Sequence, residues 1–145
     1  MAINYMDIKF KSLSINTAFA RASIGAFLSF IDPTVEELYD IKMAVSEAVS
    51  NAIMHGYNES TNETIFLRCS YKEENTCYKV EIEVKDFGSG ITDINKARQS
   101  LFTTSTDEER AGLGFTVMES VMERVDVSSE KGLGTTITLH TTVKK

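Results

Sequence analysis

The stretch YKVEIEVKD, residues 78–86, most constrains the fold, because Tyr78, Val80, Ile82 and Val84 alternate with Lys79, Glu81, Glu83 and Lys85. Side chains alternate across a strand, so this period places apolar residues on one face and charges on the other. The preceding run TIFLRCSY, residues 64–71, reaches it through the short polar turn EENT. Together they predict an antiparallel hairpin with one wet face. The dry face must then be covered, and helical periods elsewhere supply the cover. Met6, Ile8 and Phe10 alternate with Asp7, Lys9 and Lys11 and predict a first strand; two last strands are expected near residues 125–129 and 135–142. Asn16 is placed to cap a helix running to about Phe30, with Phe19, Ser23, Phe27 and Phe30 near one stripe. Asp32 and Pro33 restart the chain into a longer helix whose core stripe is Leu38, Ile41, Val45, Ala48 and Ala52, ended by Gly56 and the polar run 58–64. Residues 93–99 read as a short helix, 100–114 as irregular, and FTVMESVMERV as a helix again. The pattern is α+β: a two-layer sandwich with a mixed, mostly antiparallel sheet and helices on one face.

A chain of 145 residues with 42% hydrophobic content fits one domain, residues 1–145, with a substantial core. The net charge of −6 is spread along the sequence, which argues against direct DNA binding or an anionic membrane surface. No apolar run approaches the length of a membrane span, and MAINYMDIKF lacks the features of a signal peptide, so a cytoplasmic protein is expected. Cys69 and Cys77 are then expected as free thiols. Nothing repeats internally and no linker divides the chain.

Three segments carry chemistry. In EAVSNAIMHGY, residues 47–57, Glu47, Asn51 and His55 recur at intervals of four among Ala48, Val49, Ala52 and Ile53. On a helix they share one face. A solvated face is one reading; the apolar company favours another, in which a buried carboxylate needs a cation or a ligand bearing one. In DFGSGI, residues 86–91, Asp86 continues the inward series of its strand. It is either a tight-turn residue or an acceptor for an exocyclic amine such as adenine's, with the glycines permitting close approach. In ERAGLGFTVMES, residues 109–120, Gly112 and Gly114 are expected just ahead of a helix whose first amides would bind an anion, with Arg110 adding a positive fork. The competing reading is a hinge. The triplet Gly132, Leu133, Gly134 leads into a strand, where a turn is the simpler account. Neither a Walker P-loop nor a GxGxxG dinucleotide motif occurs.

Taken in order, EAVSNAIMHGY, DFGSGI, GLGF and GTT at 134–136 resemble the ATP-binding boxes of the GHKL, or Bergerat-fold, superfamily, over nearly the whole chain. Within it, FARASIGAFLSFIDPT, IKMAVSEAVSNAIMHGY, KARQSLFTT and ERAGLGFTVMES look most like the sporulation anti-sigma serine kinases of endospore-forming bacteria. The resemblance implies ATP/ADP and Mg²⁺ as ligands, with Asn51 as the protein oxygen on Mg²⁺. Glu47 would be the general base for an incoming serine hydroxyl. Asp86 would accept from the adenine amine, assisted by Thr135, with Gly88 and Gly90 letting the base lie close. A lid at about 96–114 would contribute Thr103, Thr104, Arg110 to the γ-phosphate, and the amides of Gly112 and Gly114. Arg21 would contact protein partners: a sporulation sigma factor, and an anti-anti-sigma factor that is the kinase substrate. A homodimer is implied, with no direct DNA or membrane contact. His55 is given no catalytic role, and His140 is read as a surface residue. A general-stress-type anti-sigma kinase and a nucleotide-gated binding module without transfer activity remain as alternatives.

Overall fold

The computed structural model describes residues 3–90 and 106–145, with residues 106–112 described by their backbone alone. Strand β1 (Ile3–Lys11) is followed by helix α1 (Asn16–Leu28), a 3₁₀ turn (Ser29–Ile31) and helix α2 (Val35–Asn51), which runs on into a π-helical turn (Ala52–Gly56). Strands β2 (Thr64–Glu73) and β3 (Cys77–Asp86) come next, then helix α3 (Thr106–Val121) and strands β4 (Arg124–Glu130) and β5 (Gly134–Lys144). The short helix expected at 93–99, and Thr103 and Thr104, lie outside the described residues.

The sheet has five strands in the order β1-β2-β3-β5-β4, and every described pairing is antiparallel. This corrects the expectation of a mixed sheet. Because β3 and β4 are each antiparallel to β5, they run parallel to one another, the arrangement a helical crossover produces; β5 then folds back into the gap between them, so no parallel pair is hydrogen-bonded. The dry face found in the sequence is confirmed: Val80, Ile82 and Val84 are buried against Ile65, Leu67, Ile137 and Leu139. Ala44, Val45, Ala48 and Val49 of α2 and Phe115 and Met118 of α3 complete the same core. Each large side chain so removed from water contributes about 1.5–3 kcal/mol.

Helix α1 corrects two expectations. Its buried stripe is Ala20, Ile24 and Leu28, while Phe19 and Phe30 stand 49% and 80% exposed. The aromatic stripe would have put the hydroxyl of Ser23 into the core; a rotation by one residue presents an all-apolar stripe instead. Asn16 does not cap the helix either, since its Nδ2 donates to the Lys11 carbonyl at 3.0 Å and the N-cap position, Ile15, has no side-chain cap. Helix α2 starts at Val35, just after the Asp32–Pro33 restart, on a cap the sequence reading did not name: Thr34 Oγ1 accepts from the Glu37 amide at 3.0 Å, and Glu37 Oε1 accepts from the Thr34 amide at 2.8 Å. Such a capping box is worth about 1 kcal/mol. The polar run 58–64 is held down by Ser12, a fully buried hydroxyl that accepts from the Glu63 amide and donates to the Ser60 carbonyl.

Cys69 and Cys77 are free, and burial pushes the Cys69 thiol up to about 12, which leaves it unreactive. Among the described residues no helix is long and apolar enough to cross a membrane.

Candidate functional site

The C-terminal end of α2 and the end of β3 meet through glycines. The helix widens into the π turn, where the Tyr57 amide donates to the Ala52 carbonyl at 2.9 Å, and this brings Gly56 against Asp86. A β-carbon on Gly56 would sit 2.6–2.7 Å from the Asp86 carboxylate. One on Gly88 would collide with the Gly56 carbonyl, the same oxygen that accepts from the Ser89 amide at 2.9 Å. The glycines after Asp86 therefore serve chain-to-chain contact; Gly90, at φ +78, likewise closes on the Glu130 carbonyl. The hydroxyl of the buried Tyr57 completes the join, accepting from the Phe87 amide at 2.7 Å and donating to the Thr64 carbonyl at 2.6 Å.

Asp86 is 5% exposed and paired in register with Thr135, itself 6% exposed. Asp86 Oδ1 accepts from the Gly88 amide at 2.9 Å. Burial raises its carboxyl above the ordinary aspartate range, partly offset by the backbone amides of Gly88 and Thr135. Thr135 Oγ1 lies 2.8 Å from Ser129 Oγ. Sequence reasoning missed Ser129 and Tyr57; the signal for Ser129 was the short turn at 130–134, which sets residues 129 and 135 opposite each other.

Glu47, Asn51 and His55 do share a face. With Ser50, Leu113 and Gly114 they line an open groove of about 280 Å³ between α2 and α3. Asn51 and His55 also line a smaller enclosed space of about 20 Å³ with Asp86, Gly90, Phe115 and Thr135. Burial raises the Glu47 carboxyl above the ordinary glutamate range. The Asn51 Nδ2 is buried and has no hydrogen-bond partner among the described residues, and a β-carbon on Gly114 would stand 3.4 Å from it and 3.3 Å from Glu47 Oε2.

Two expectations shift. Helix α3 is described from Thr106, so Gly112 and Gly114 lie well inside it instead of at its first, unpaired amides. The run TDEER carries the start signal that the glycines obscured, a threonine followed by acids. The side chain of Arg110 lies outside the described residues. Arg21 is half-buried, with Nη1 donating to Ser46 Oγ of α2 at 3.1 Å. His140 lies on the wet face of the sheet beside Asp126 and Arg124, at 2.9 and 3.1 Å.

Residues 10–141 match the histidine kinase-like ATPase domain family. An anti-sigma F factor of Clostridium acetobutylicum is 50% identical over 138 residues, covering 94% of this chain and 92% of that protein. The chain belongs to the anti-sigma F factor family of histidine kinase-like ATPases. The Bacillus subtilis anti-sigma F factor is 43% identical over 136 residues, covering 94% of this chain and 90% of its own length. Among solved structures, the RsbU and RsbW domains of a Mycobacterium tuberculosis protein share the fold at a TM-score of 0.70 and 20% identity, over 98% of this chain; the chain spans 33% of that polypeptide. A blue-light activated histidine kinase of Erythrobacter litoralis shares it at a TM-score of 0.54 and 20% identity, over 76% of this chain and 31% of that one. Membership implies nucleotide binding, and the family match takes in Glu47, Asn51, Asp86 and Thr135 alike.

Proposed function

We propose that this chain is an ATP-gated anti-sigma factor and a protein serine kinase. With ATP bound it sequesters a sporulation sigma factor from RNA polymerase; it also phosphorylates a serine of an anti-anti-sigma factor, and the sigma factor is released by partner switching. The observation that carries this reading is the buried Asn51 Nδ2, without a partner among the described residues and on one helix face with Glu47, where the groove meets the space that holds Asp86. A buried polar group without a partner costs about 1–3 kcal/mol, which a ligand would remove.

Rotating the Asn51 amide by half a turn presents Oδ1 at the same place, so the residue suits a hard cation that takes oxygen ligands. Mg²⁺, when bound, would neutralise charge on the phosphate oxygens. Glu47 accepts the proton of the incoming serine hydroxyl, its basicity strengthened by burial. Asp86 accepts from the adenine amine beside Thr135, on a loop that Gly88 and Gly90 hold in place. Thr103, Thr104, Arg110, Gly112 and Gly114 belong to the lid over the phosphates. An enclosed space of about 20 Å³ admits about one water and no purine, so nucleotide entry moves α3 away from α2. That motion supplies the coupling by which nucleotide state selects the partner. Arg21, fixed by Ser46, presents its guanidinium to both protein partners. The kinase works as a cytoplasmic homodimer. The half-buried carboxylate of Glu47 speaks for transfer over a passive binding module, which has no need of a base.

The decisive experiment is single-turnover transfer from MgATP to the anti-anti-sigma factor. Glu47→Gln keeps ATP binding and lowers transfer by about 10²–10⁴-fold. In the parent chain the rate falls with decreasing pH through a pKa above the ordinary glutamate value, because protonated Glu47 cannot accept the serine proton. Unchanged transfer in the variant removes Glu47 from the mechanism.

A further inference from the structure

We infer that Ser129 is a specificity-determining residue: it accepts the hydrogen bond of the Thr135 hydroxyl, so that Asp86 and Thr135 face the enclosed space with hydrogen-bond acceptors alone and select a 6-amino purine over a 6-oxo purine. The inference rests on the reading of that space as an adenine site and adds a residue to it.

A serine hydroxyl has one proton to give. Ser129 Oγ donates to the Gly134 carbonyl at 3.2 Å, and it lies 2.8 Å from Thr135 Oγ1. With the serine proton on Gly134, the proton between the two hydroxyls is threonine's, and Thr135 Oγ1 turns its lone pairs the other way. The carbonyl that fixes this direction is itself held by packing. Gly134 has φ +106, a conformation that favours glycine, and a β-carbon there would collide with the Asp86 carbonyl. The β4–β5 register then sets Ser129 opposite Thr135.

Thr135 and Asp86 both line the enclosed space. An ionised carboxylate is acceptor-only, and Asp86 Oδ1 already receives the Gly88 amide. A 6-amino group meets these oxygens with two N–H donors, whereas a 6-oxo group meets them with lone pairs. In a buried site such a mismatch cannot be relieved by water. Without Ser129, the Thr135 hydroxyl is free to rotate and donate, and a 6-oxo purine then finds a partner.

The test measures ATP and ITP binding to the full chain by calorimetry, since the two nucleotides differ only at the 6-position and the adjacent ring proton. The parent chain is expected to prefer ATP. In Ser129→Ala the ATP-to-ITP preference falls by about ten-fold, with part of the change a gain in ITP affinity. Ser129→Thr, which keeps the hydroxyl, retains the parent preference. A residue that served packing alone would lower both affinities together and leave their ratio unchanged, and that result in a folded Ser129→Ala overturns the inference. If circular dichroism shows Ser129→Ala unfolded, Ser129→Cys takes its place with the same criterion, because a thiol accepts only weakly. A parent chain that binds ATP and ITP equally overturns the inference directly. One that binds neither overturns the adenine reading, and the role of Ser129 with it.

Discussion

Around Asp86 the chain pairs its polar groups within itself, whereas Asn51 Nδ2 has no partner among the described residues. Asp86 accepts from backbone amides, Tyr57 bridges Phe87 to Thr64, and Ser129 joins Thr135 to Gly134. On the α2 side, Asn51 Nδ2 is buried without a partner among the described residues, and burial raises the carboxyl of Glu47. The first region is preorganised, so a ligand bound there pays little to order it. The second carries a desolvation cost that a ligand bonded to Asn51 would offset. A binding site can thus be fixed at one end and completed by its ligand at the other. Under the proposed function, a nucleotide-dependent change falls on the α2–α3 side.

The comparison breaks most visibly if the glycine joint is filled. Gly88→Ala drives a β-carbon into the Gly56 carbonyl, a clash of backbone with backbone that no rotamer relieves. A loss of about 3 kcal/mol or more is expected in urea unfolding, together with loss of ATP binding. A stable Gly88→Ala chain that binds ATP normally would show that the joint is not rigid. Tyr57→Phe is the milder probe of the same end, since it strips the part-buried Phe87 amide and Thr64 carbonyl of their shared hydroxyl. It is expected to cost about 1–3 kcal/mol of stability and to weaken ADP as well as ATP, because the disturbed loop begins at Asp86. Equal stability in matched denaturation curves would mean that water replaces the hydroxyl.

The smallest stability effect, and the sharpest test of the other end, comes from Gly114→Ala. Its β-carbon would stand 3.3–3.4 Å from the ends of Glu47 and Asn51, which are side chains able to give way. Alanine in place of a helical glycine gains about 0.5–1 kcal/mol, so the melting temperature is expected to hold or rise while phosphoryl transfer falls. A parallel fall in stability and transfer would mean that the α2–α3 contact is ordinary core and not a ligand site.

Much of this was legible beforehand because strand and helix periods are local. The alternation from Tyr78 to Asp86 predicted the inward carboxylate, and the four-residue spacing of Glu47, Asn51 and His55 predicted their shared face. Where two local readings competed, the sequence chose poorly. Asn16 is a sound cap by residue type, yet its amide serves Lys11; Phe19 and Phe30 are sound core residues by type, yet α1 and the 3₁₀ turn after it face them outward. Gly112 and Gly114 read as a helix start because glycine breaks helices, and packing against α2 places Gly114 inside one.

What the sequence determined by itself is therefore what one element can encode alone: period, polarity, capping signal, and the order of the family's motifs. The tertiary structure decided what depends on two elements meeting. Only the register of β4 on β5 makes Ser129 a neighbour of Thr135, and only the approach of α2 to the end of β3 sets Gly56 against Asp86. The physical reason is that a hydrogen bond or a close backbone contact is fixed by distances across the fold to within a few tenths of an ångström. A pattern along the chain, by contrast, fixes only which way each side chain points.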